Sequence, residues 1–248
     1  MYKSDSMKAI FFDMGGTLEE VYYDEKMRLS ASGILLRLLQ QNNLEPGLSK
    51  KDFHQLITSS LDRYQIWRMK SNLEIRAADF WNKYVFKDLK LSEQKVTQIA
   101  ELLTFFVETL FFRRRMRKGV PRVLKAIKQK GLKIGCLSNV LGIMQVPYCL
   151  QKYRIISYFE IIVLSCIYGQ RKPNPSIFKY AAKLAGVEPA QCIYVGDTVS
   201  RDIIGSKQAK YGLSLLIPSF LTKRNDTGNE LIKPDAILQN LEDLLEII

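Results

Sequence analysis

A doubly wound, Rossmann-like α/β fold built on a parallel sheet, with a block of helices inserted into it, is the architecture this sequence predicts. Three observations predict it. A short apolar strand pattern, Lys8 to Phe12, runs into Asp13-Met14-Gly15-Gly16. A long stretch from about Leu18 to Arg117 then carries helical periodicity and no strand signal. Beyond Gly119, strand-like and helix-like segments alternate, the pattern of right-handed crossovers in a parallel sheet with helices on both faces.

The segment Lys8 to Phe12 is an apolar run ending in a carboxylate and a glycine pair, which suits a buried parallel strand followed by a tight loop. In the insertion, Ile34, Leu35, Leu38 and Leu39 mark a first helix. Phe53, Leu56, Ile57, Leu61 and Tyr64 mark a second, with Ser49 as its N-cap. Ala77, Phe80, Trp81, Tyr84 and Val85 mark a third. Ser92 and Glu93 open a fourth, in which Val96, Ile99, Leu103, Phe106 and Leu110 keep steps of three and four. The basic run Arg113 to Lys118 is read as closing that last helix, where cations complement the dipole.

The α/β alternation then follows. A helix over Val120 to Lys130 stops at Gly131, and a strand runs from Leu132 to Leu137 into Ser138-Asn139. A second strand covers Glu160 to Leu164, and the apolar run Ile161 to Tyr168 as a whole suits a buried strand. A helix from Pro175 to Gly186, a strand from Cys192 to Val195 leading into Gly196-Asp197, a helix from about Asp202 and a strand from Leu213 to Ile217 complete the series. The polar stretch Thr222 to Pro234 reads as a surface loop. The predicted division is a discontinuous α/β core, 1–17 and 118–248, around a helical cap, 18–117.

Composition bounds the function. With 47% hydrophobic and 25% charged residues, the chain reads as a globular protein with a substantial core. No apolar run approaches the roughly 18 residues that span a bilayer. Met1 to Lys8 has no signal-peptide apolar region, its first six residues reading as a loose extension, so a cytoplasmic location is expected. The four cysteines form no CxxC pair and there is a single histidine, which argues against zinc and for reduced thiols. A net charge of +12 favours anionic ligands without choosing among them; nucleic acid is not the expected partner, and oligomeric state is not legible.

In an open parallel sheet, ligands bind beyond the carboxyl ends of the strands. The polar residues there are Asp13, Ser138-Asn139 and Asp197. Together with their neighbours they resemble the haloacid-dehalogenase-like superfamily. Asp13-Met14-Gly15-Gly16-Thr17-Leu18 is similar to its first motif and Leu137-Ser138-Asn139 to its second. Arg171-Lys172-Pro173-Asn174-Pro175 is similar to its third, and Val195-Gly196-Asp197 with Asp202 to its fourth. The helical insertion is similar to the cap of the phosphoglycolate-phosphatase-like and dehalogenase-like branch. The resemblance covers essentially the whole chain.

That resemblance implies a magnesium-dependent hydrolase of a small phosphorylated metabolite. Asp13 is the implied nucleophile, forming an aspartyl-phosphate. Asp13, the carbonyl of Gly15 and Asp197 are implied ligands of Mg2+. Asp202 either joins the metal ligands or orients Lys172, unless it is simply a helix N-terminal acid. Lys172 would face the transferring phosphoryl group as a point charge, and Ser138 and the amide of Asn139 would bind phosphate oxygens. Thr17 would orient the first loop or make an ordinary turn contact, and Gly15 and Gly16 would let the backbone approach metal and ligand. Cap movement would exclude water and select the substrate.

One position departs from the pattern. Family phosphatases usually carry an acid two residues after the nucleophile; here it is Gly15. Three explanations stand open: another group such as Glu19, Glu20 or a cap residue replaces the acid, the substrate has a good leaving group, or the protein binds phosphorylated ligands without turnover. Dehalogenase-like and phosphonatase-like hydrolysis are further alternatives, the first opposed by the presence of Asp197 and Asp202. For the arginines Arg113 to Arg115, a substrate contact would show as a raised KM on neutralisation. The aromatics Tyr64, Trp67, Phe80, Trp81 and Tyr84 either line a pocket or, as helical spacing favours, form core. His54 reads as a partly exposed helix residue with no part in the chemistry.

Overall fold

The computed structural model describes residues 6–220 and 232–248. The expected N-terminal extension and most of the polar loop at 222–234 lie outside the described residues. In chain order the elements are β1 (Ala9–Phe12), β2 (Glu19–Tyr22), α1 (Glu25–Gln41), α2 (Lys50–Ser71), α3 (Ala77–Phe80, continued by a π-helical turn Trp81–Val85), α4 (Glu93–Leu110) and β3 (Arg113–Met116). There follow α5 (Val120–Gln129), β4 (Lys133–Ser138), α6 (Gln145–Lys152), β5 (Ile161–Leu164), α7 (Ser165–Tyr168), α8 (Pro175–Leu184) and β6 (Cys192–Gly196). A π-helical turn Val199–Ile203 leads into α9 (Ile204–Gln208), then come β7 (Leu213–Leu216), β8 (Ala236–Ile237) and a closing 3-10 helix Leu241–Glu246. No helix among the described residues is long and apolar enough to cross a membrane.

The chain forms two compact units, 1–21 with 114–139 and 146–248, and 22–113 with 140–145. The first is the α/β unit. Its sheet has the order β5-β4-β1-β6-β7-β8, every pairing parallel. The first strand of the chain therefore lies at the centre, β4 and β5 to one side and β6 to β8 to the other. That reversal of order is a topological switch point, where the carboxyl ends of neighbouring strands open a crevice. Central placement explains why Ala9 to Phe12 are all buried apolar residues. Ala9 and Phe11 pack with Leu137, Val163 and Tyr194 against Ile177, Phe178 and Ala181 of α8. Ile10 and Phe12 alternate to the opposite face. α5 buries Val120, Val123, Leu124 and Ile127, a stripe of one helical face, and stops where Gly131 takes a φ of 75°.

The helical unit has its own core. Asp24, Ser49 and Ser92 cap α1, α2 and α4, each side chain accepting a hydrogen bond from a backbone N–H of the first turn. Tyr64, Phe80 and Trp81 are fully buried among Leu35, Ile57, Leu103 and Phe111, and Trp67 and Tyr84 pack against them. Trp81 Nε1 donates to Thr104 Oγ1 at 2.9 Å. The aromatics are thus core. His54 is partly exposed as expected, its ring between Ser32 Oγ (3.1 Å) and Glu25 Oε2 (3.0 Å), so it ties α2 to α1.

Three expectations change. The basic run does not close α4, which ends at Leu110. Arg113–Met116 is the strand β3, paired with β2, and its residues alternate between exposed and half-buried. Two four-residue strands rich in charge give too little alternation to register against the helices around them. In consequence residues 18–21 and 114–117 group with the α/β unit, and 140–145 with the helical one. Finally, Ile161 to Tyr168 is only half strand, because beyond Leu164 the chain leaves the sheet and turns into α7 until Gly169 at φ 84°.

Candidate active site

Register places the site. Phe12 pairs with Cys136 of β4 and Val195 of β6, so the residues that follow each strand emerge at one level. Asp13 leaves β1 with its N–H donating to Val195 O at 3.0 Å. Ser138 closes β4 and Asp197 follows β6, and all three are buried.

Asp13, Asp197 and Asp202 each present a carboxylate oxygen within 4.8 Å of the others. One buried cation serves them: Lys172 Nζ lies 2.8 Å from Asp13 Oδ1 and 2.7 Å from Asp202 Oδ1. It also donates to Tyr194 Oη at 2.8 Å. The loop that carries Lys172 is held by Asn139, whose Oδ1 accepts from Lys172 N (2.9 Å) and whose Nδ2 donates to Lys172 O (3.0 Å). The second motif therefore positions the third through a side chain.

Asp202 accepts from Thr198 N (3.0 Å) and Oγ1 (2.7 Å) on Oδ2, and from Lys172 and Tyr194 on Oδ1. Such a fully engaged carboxylate orients Lys172 and Thr198. Its closeness depends on Gly196, where a Cβ would collide with the Asp202 side chain. Asp197 Oδ2 accepts from Ser219 Oγ at 2.5 Å.

The electrostatics follow from burial and sign. Burial raises the pKa of Asp13, with Lys172 only partly offsetting it. Burial also works to raise Asp202, but Lys172 and Arg201 outweigh it and hold that carboxyl below the usual range. Burial works to lower Lys172, and the two carboxylates more than reverse it. Burial, then the charges of Asp202 and Asp13, push Asp197 up to about 7.

The first loop is shaped by Gly16, at φ 91°, whose N–H donates to Glu19 O (2.7 Å). A Cβ there would run into the Asp197 carboxylate. Gly16→Ala combines a left-handed backbone with that collision, so a stability loss of about 1–3 kcal/mol is expected in urea unfolding; less than about 0.5 kcal/mol would refute the collision. Gly15 is different: its φ is ordinary, and a Cβ would meet Val21 Cγ2 at 3.7 Å and Arg114 Nη1 at 3.9 Å. Backbone sterics do not require glycine at that position. Thr17 makes no side-chain turn contact; its hydroxyl is fully buried with no hydrogen-bond partner among the described residues. Such a group costs about 1–3 kcal/mol until a ligand or water serves it.

The basic run belongs to this loop. Arg117 Nη2 donates to Gly16 O (2.6 Å) and its Nε to Thr17 O (3.1 Å). Arg114 pairs with the fully buried Glu19, which also accepts from Tyr153 Oη (2.9 Å).

The donor set fits a hard dication. Three buried carboxylates crowd together with Lys172 paired to two of them, and oxygen ligands are what magnesium takes. Asp13 and Asp197, with the Gly15 carbonyl that the resemblance implies, are the residues that would hold it.

The sequence reading missed Tyr194, Thr198 and Ser219, and it singled out the basic run without its partners, Glu19 for Arg114 and the Gly16 and Thr17 carbonyls for Arg117. Tyr194 looks like one more apolar strand residue, and a serine beyond β7 carries no spacing signal. Thr198, next to Asp197, is the one that an Asp-Thr-x-x-x-Asp reading could have found, since it opens the turn that holds Asp202 and donates to that carboxylate.

Comparison with known proteins bears on the family and the fold. A family model described as haloacid dehalogenase-like hydrolase matches residues 7–210. The glyceraldehyde 3-phosphate phosphatase of Methanopyrus kandleri is 27% identical over 242 residues, 98% of this chain and 97% of its own. The phosphoglycolate phosphatase of Aquifex aeolicus is 25% identical over 242 residues, 98% of this chain and 97% of its own. A crystal structure of a phosphatase from Thermococcus onnurineus superposes with a TM-score of 0.62 at 24% identity, over 97% of each chain, and shares the fold.

Proposed function

The chain belongs to the haloacid dehalogenase-like hydrolase family, and from that premise we propose that it is a magnesium-dependent phosphatase of a small phosphorylated molecule, working through an aspartyl-phosphate on Asp13. The observation that carries the reading is the buried Asp13–Lys172–Asp202 chain with Asp197 beside it. The names of the relatives, phosphatases of small phosphorylated compounds, support the substrate class.

Bound at Asp13, Gly15 O and Asp197, magnesium would supply charge neutralisation for the phosphoryl oxygens. Lys172 places its ammonium at Asp13 Oδ1 and so beside the phosphoryl group that Asp13 receives. Asp202 and Tyr194 fix that ammonium. Ser138, the amide of Asn139, Gly16 and the Thr17 hydroxyl receive phosphate oxygens. An Asp13 oxygen attacks phosphorus and the bond to the leaving oxygen breaks. Water then attacks the aspartyl-phosphate and frees phosphate. The direct test is phosphate release from acetyl phosphate and p-nitrophenyl phosphate with and without Mg2+. Turnover that survives complete removal of divalent metal would overturn the reading. Dehalogenation is disfavoured, because carbon chemistry gives no reason to bury a second and third carboxylate beside Asp13.

The pH dependence has a definite sign. Without metal, the folded pKa of Asp197, about 7, lies above its unfolded value, so the folded state holds this proton more tightly. Its contribution to metal-free stability is therefore greatest below pH 4 and is lost as pH rises toward 7. A dication must displace that proton. Apparent Mg2+ affinity should fall about 30-fold between pH 8 and pH 5.5, from one proton with the pKa of Asp197. Thermal shifts on Mg2+ addition read this; equal shifts at both pH values would contradict it.

A further inference from the structure

We propose that this site is built for phosphorylated substrates whose leaving group departs as a stable anion, acyl phosphates above all, rather than for alkyl phosphate esters. The inference rests on the phosphatase reading above and concerns the residue-15 side of the Asp13 loop.

Residue 15 lies two positions after the nucleophile, on the least buried part of a loop whose neighbours Asp13, Met14, Gly16 and Thr17 are all buried. A side chain there would face the Val21 methyl at 3.7 Å and Arg114 Nη1 at 3.9 Å. A methyl has no proton to give, and a guanidinium does not release its own near neutral pH. Behind Arg114 the remaining polar groups form a closed cluster. Glu19, with no exposed surface, receives Arg114 on Oε1 and the Tyr153 hydroxyl on Oε2. Tyr153 holds its proton against Glu19, and burial, followed by the charge of Glu19, pushes its pKa further up. On the other side of Asp13, Lys172 is held between two carboxylates and Asp202 is fully hydrogen-bonded.

Thus neither group within 4 Å of a residue-15 side chain can protonate a departing alkoxide, which is far too basic to leave unaided. A carboxylate needs no such help. The first step balances without a proton: an Asp13 oxygen bonds to phosphorus, the acyl C–O–P bridge breaks at phosphorus, and the electron pair leaves on the carboxylate. In the second step water attacks phosphorus, the Asp13–phosphorus linkage breaks, Asp13 regains its carboxylate, and both water protons stay on the released dihydrogen phosphate. The glycine is then a matter of chemistry rather than of backbone geometry, since a Cβ at this position meets only ordinary van der Waals contacts.

The test is a leaving-group series on the wild-type enzyme with Mg2+, covering acetyl phosphate, phenyl phosphates of graded phenol acidity, 2-phosphoglycolate and glycerol phosphate. The parameter is kcat/KM, which reports the first phosphoryl transfer, with Asp13→Asn as the control for each substrate. The expected result is a steady fall of at least about 10²-fold from acetyl and p-nitrophenyl phosphate to the alkyl esters, the usual worth of a general acid. Alkyl esters turned over within about tenfold of acetyl phosphate would overturn the inference while leaving the phosphatase reading intact, because a proton donor would then be acting. Absence of Asp13-dependent turnover with every substrate would overturn both.

Discussion

Asp13→Asn is expected to abolish Mg2+-dependent release of phosphate from acetyl phosphate, by about 10⁴-fold or more, while leaving the protein folded. The size follows from the role: an amide does not attack phosphorus, and no other carboxylate can take its place. Asp202 has both oxygens engaged by Thr198, Lys172 and Tyr194. Asp197 extends from a different strand toward Ser219. Retention of the fold follows from the surroundings. Asparagine is nearly isosteric, Lys172 keeps its ion pair with Asp202, and one of three crowded negative charges disappears. Acid-quenched enzyme should carry hydroxylamine-sensitive phosphate in the wild type and none in the variant. Turnover within about tenfold of wild type, or labelling of the variant, would exclude Asp13 as the nucleophile.

The parts of this molecule that could be read from sequence are those where one physical requirement dominates a short stretch. A central parallel strand must be apolar on both faces, and Ala9 to Phe12 satisfies this visibly. A helix needs a cap, and Ser49 and Ser92 announce α2 and α4. Asp13, Ser138 and Asp197 stand out because polar residues at the ends of such strands have few structural reasons to be there, and Lys172 stands out by its Arg-Lys-Pro-Asn-Pro setting. What could not be read depends on pairing across long separations. β2 and β3 are separated by ninety residues, and their charged sequences become strands only through each other. The alternation of Arg113 to Met116 makes sense once Arg114 is seen to be Glu19's counterion. Tyr194 is typical of a buried strand residue until its hydroxyl is found on Lys172. β8 is too short to signal at all.

Lys172→Met tests the electrostatic argument for the whole site, and its effect on stability should be the largest of any single site substitution. In the wild type a lysine with 2% exposure neutralises two carboxylates at 2.8 and 2.7 Å. Methionine fills much the same volume, so packing changes little and the loss is chiefly one of charge. Removing one partner from a buried ionic cluster leaves the others uncompensated, at a cost of about 3–5 kcal/mol. For a chain of this length that corresponds to a fall in melting temperature of roughly 2–4 °C per kcal/mol. Activity should drop about 10³-fold as the phosphoryl group loses its cation. The pH dependence supplies a signature that a simple packing defect would not have. Without Lys172, Asp13 and Asp202 keep their burial but lose the interaction that lowers their pKa, so Asp13 rises further, Asp202 rises from below its usual range, and the folded variant takes up protons as pH falls. The stability gap between wild type and variant should therefore narrow from pH 8 to pH 5. A gap of the same size at both pH values would point to lost packing, and a gap below about 1 kcal/mol throughout would mean that the carboxylates do not depend on this lysine.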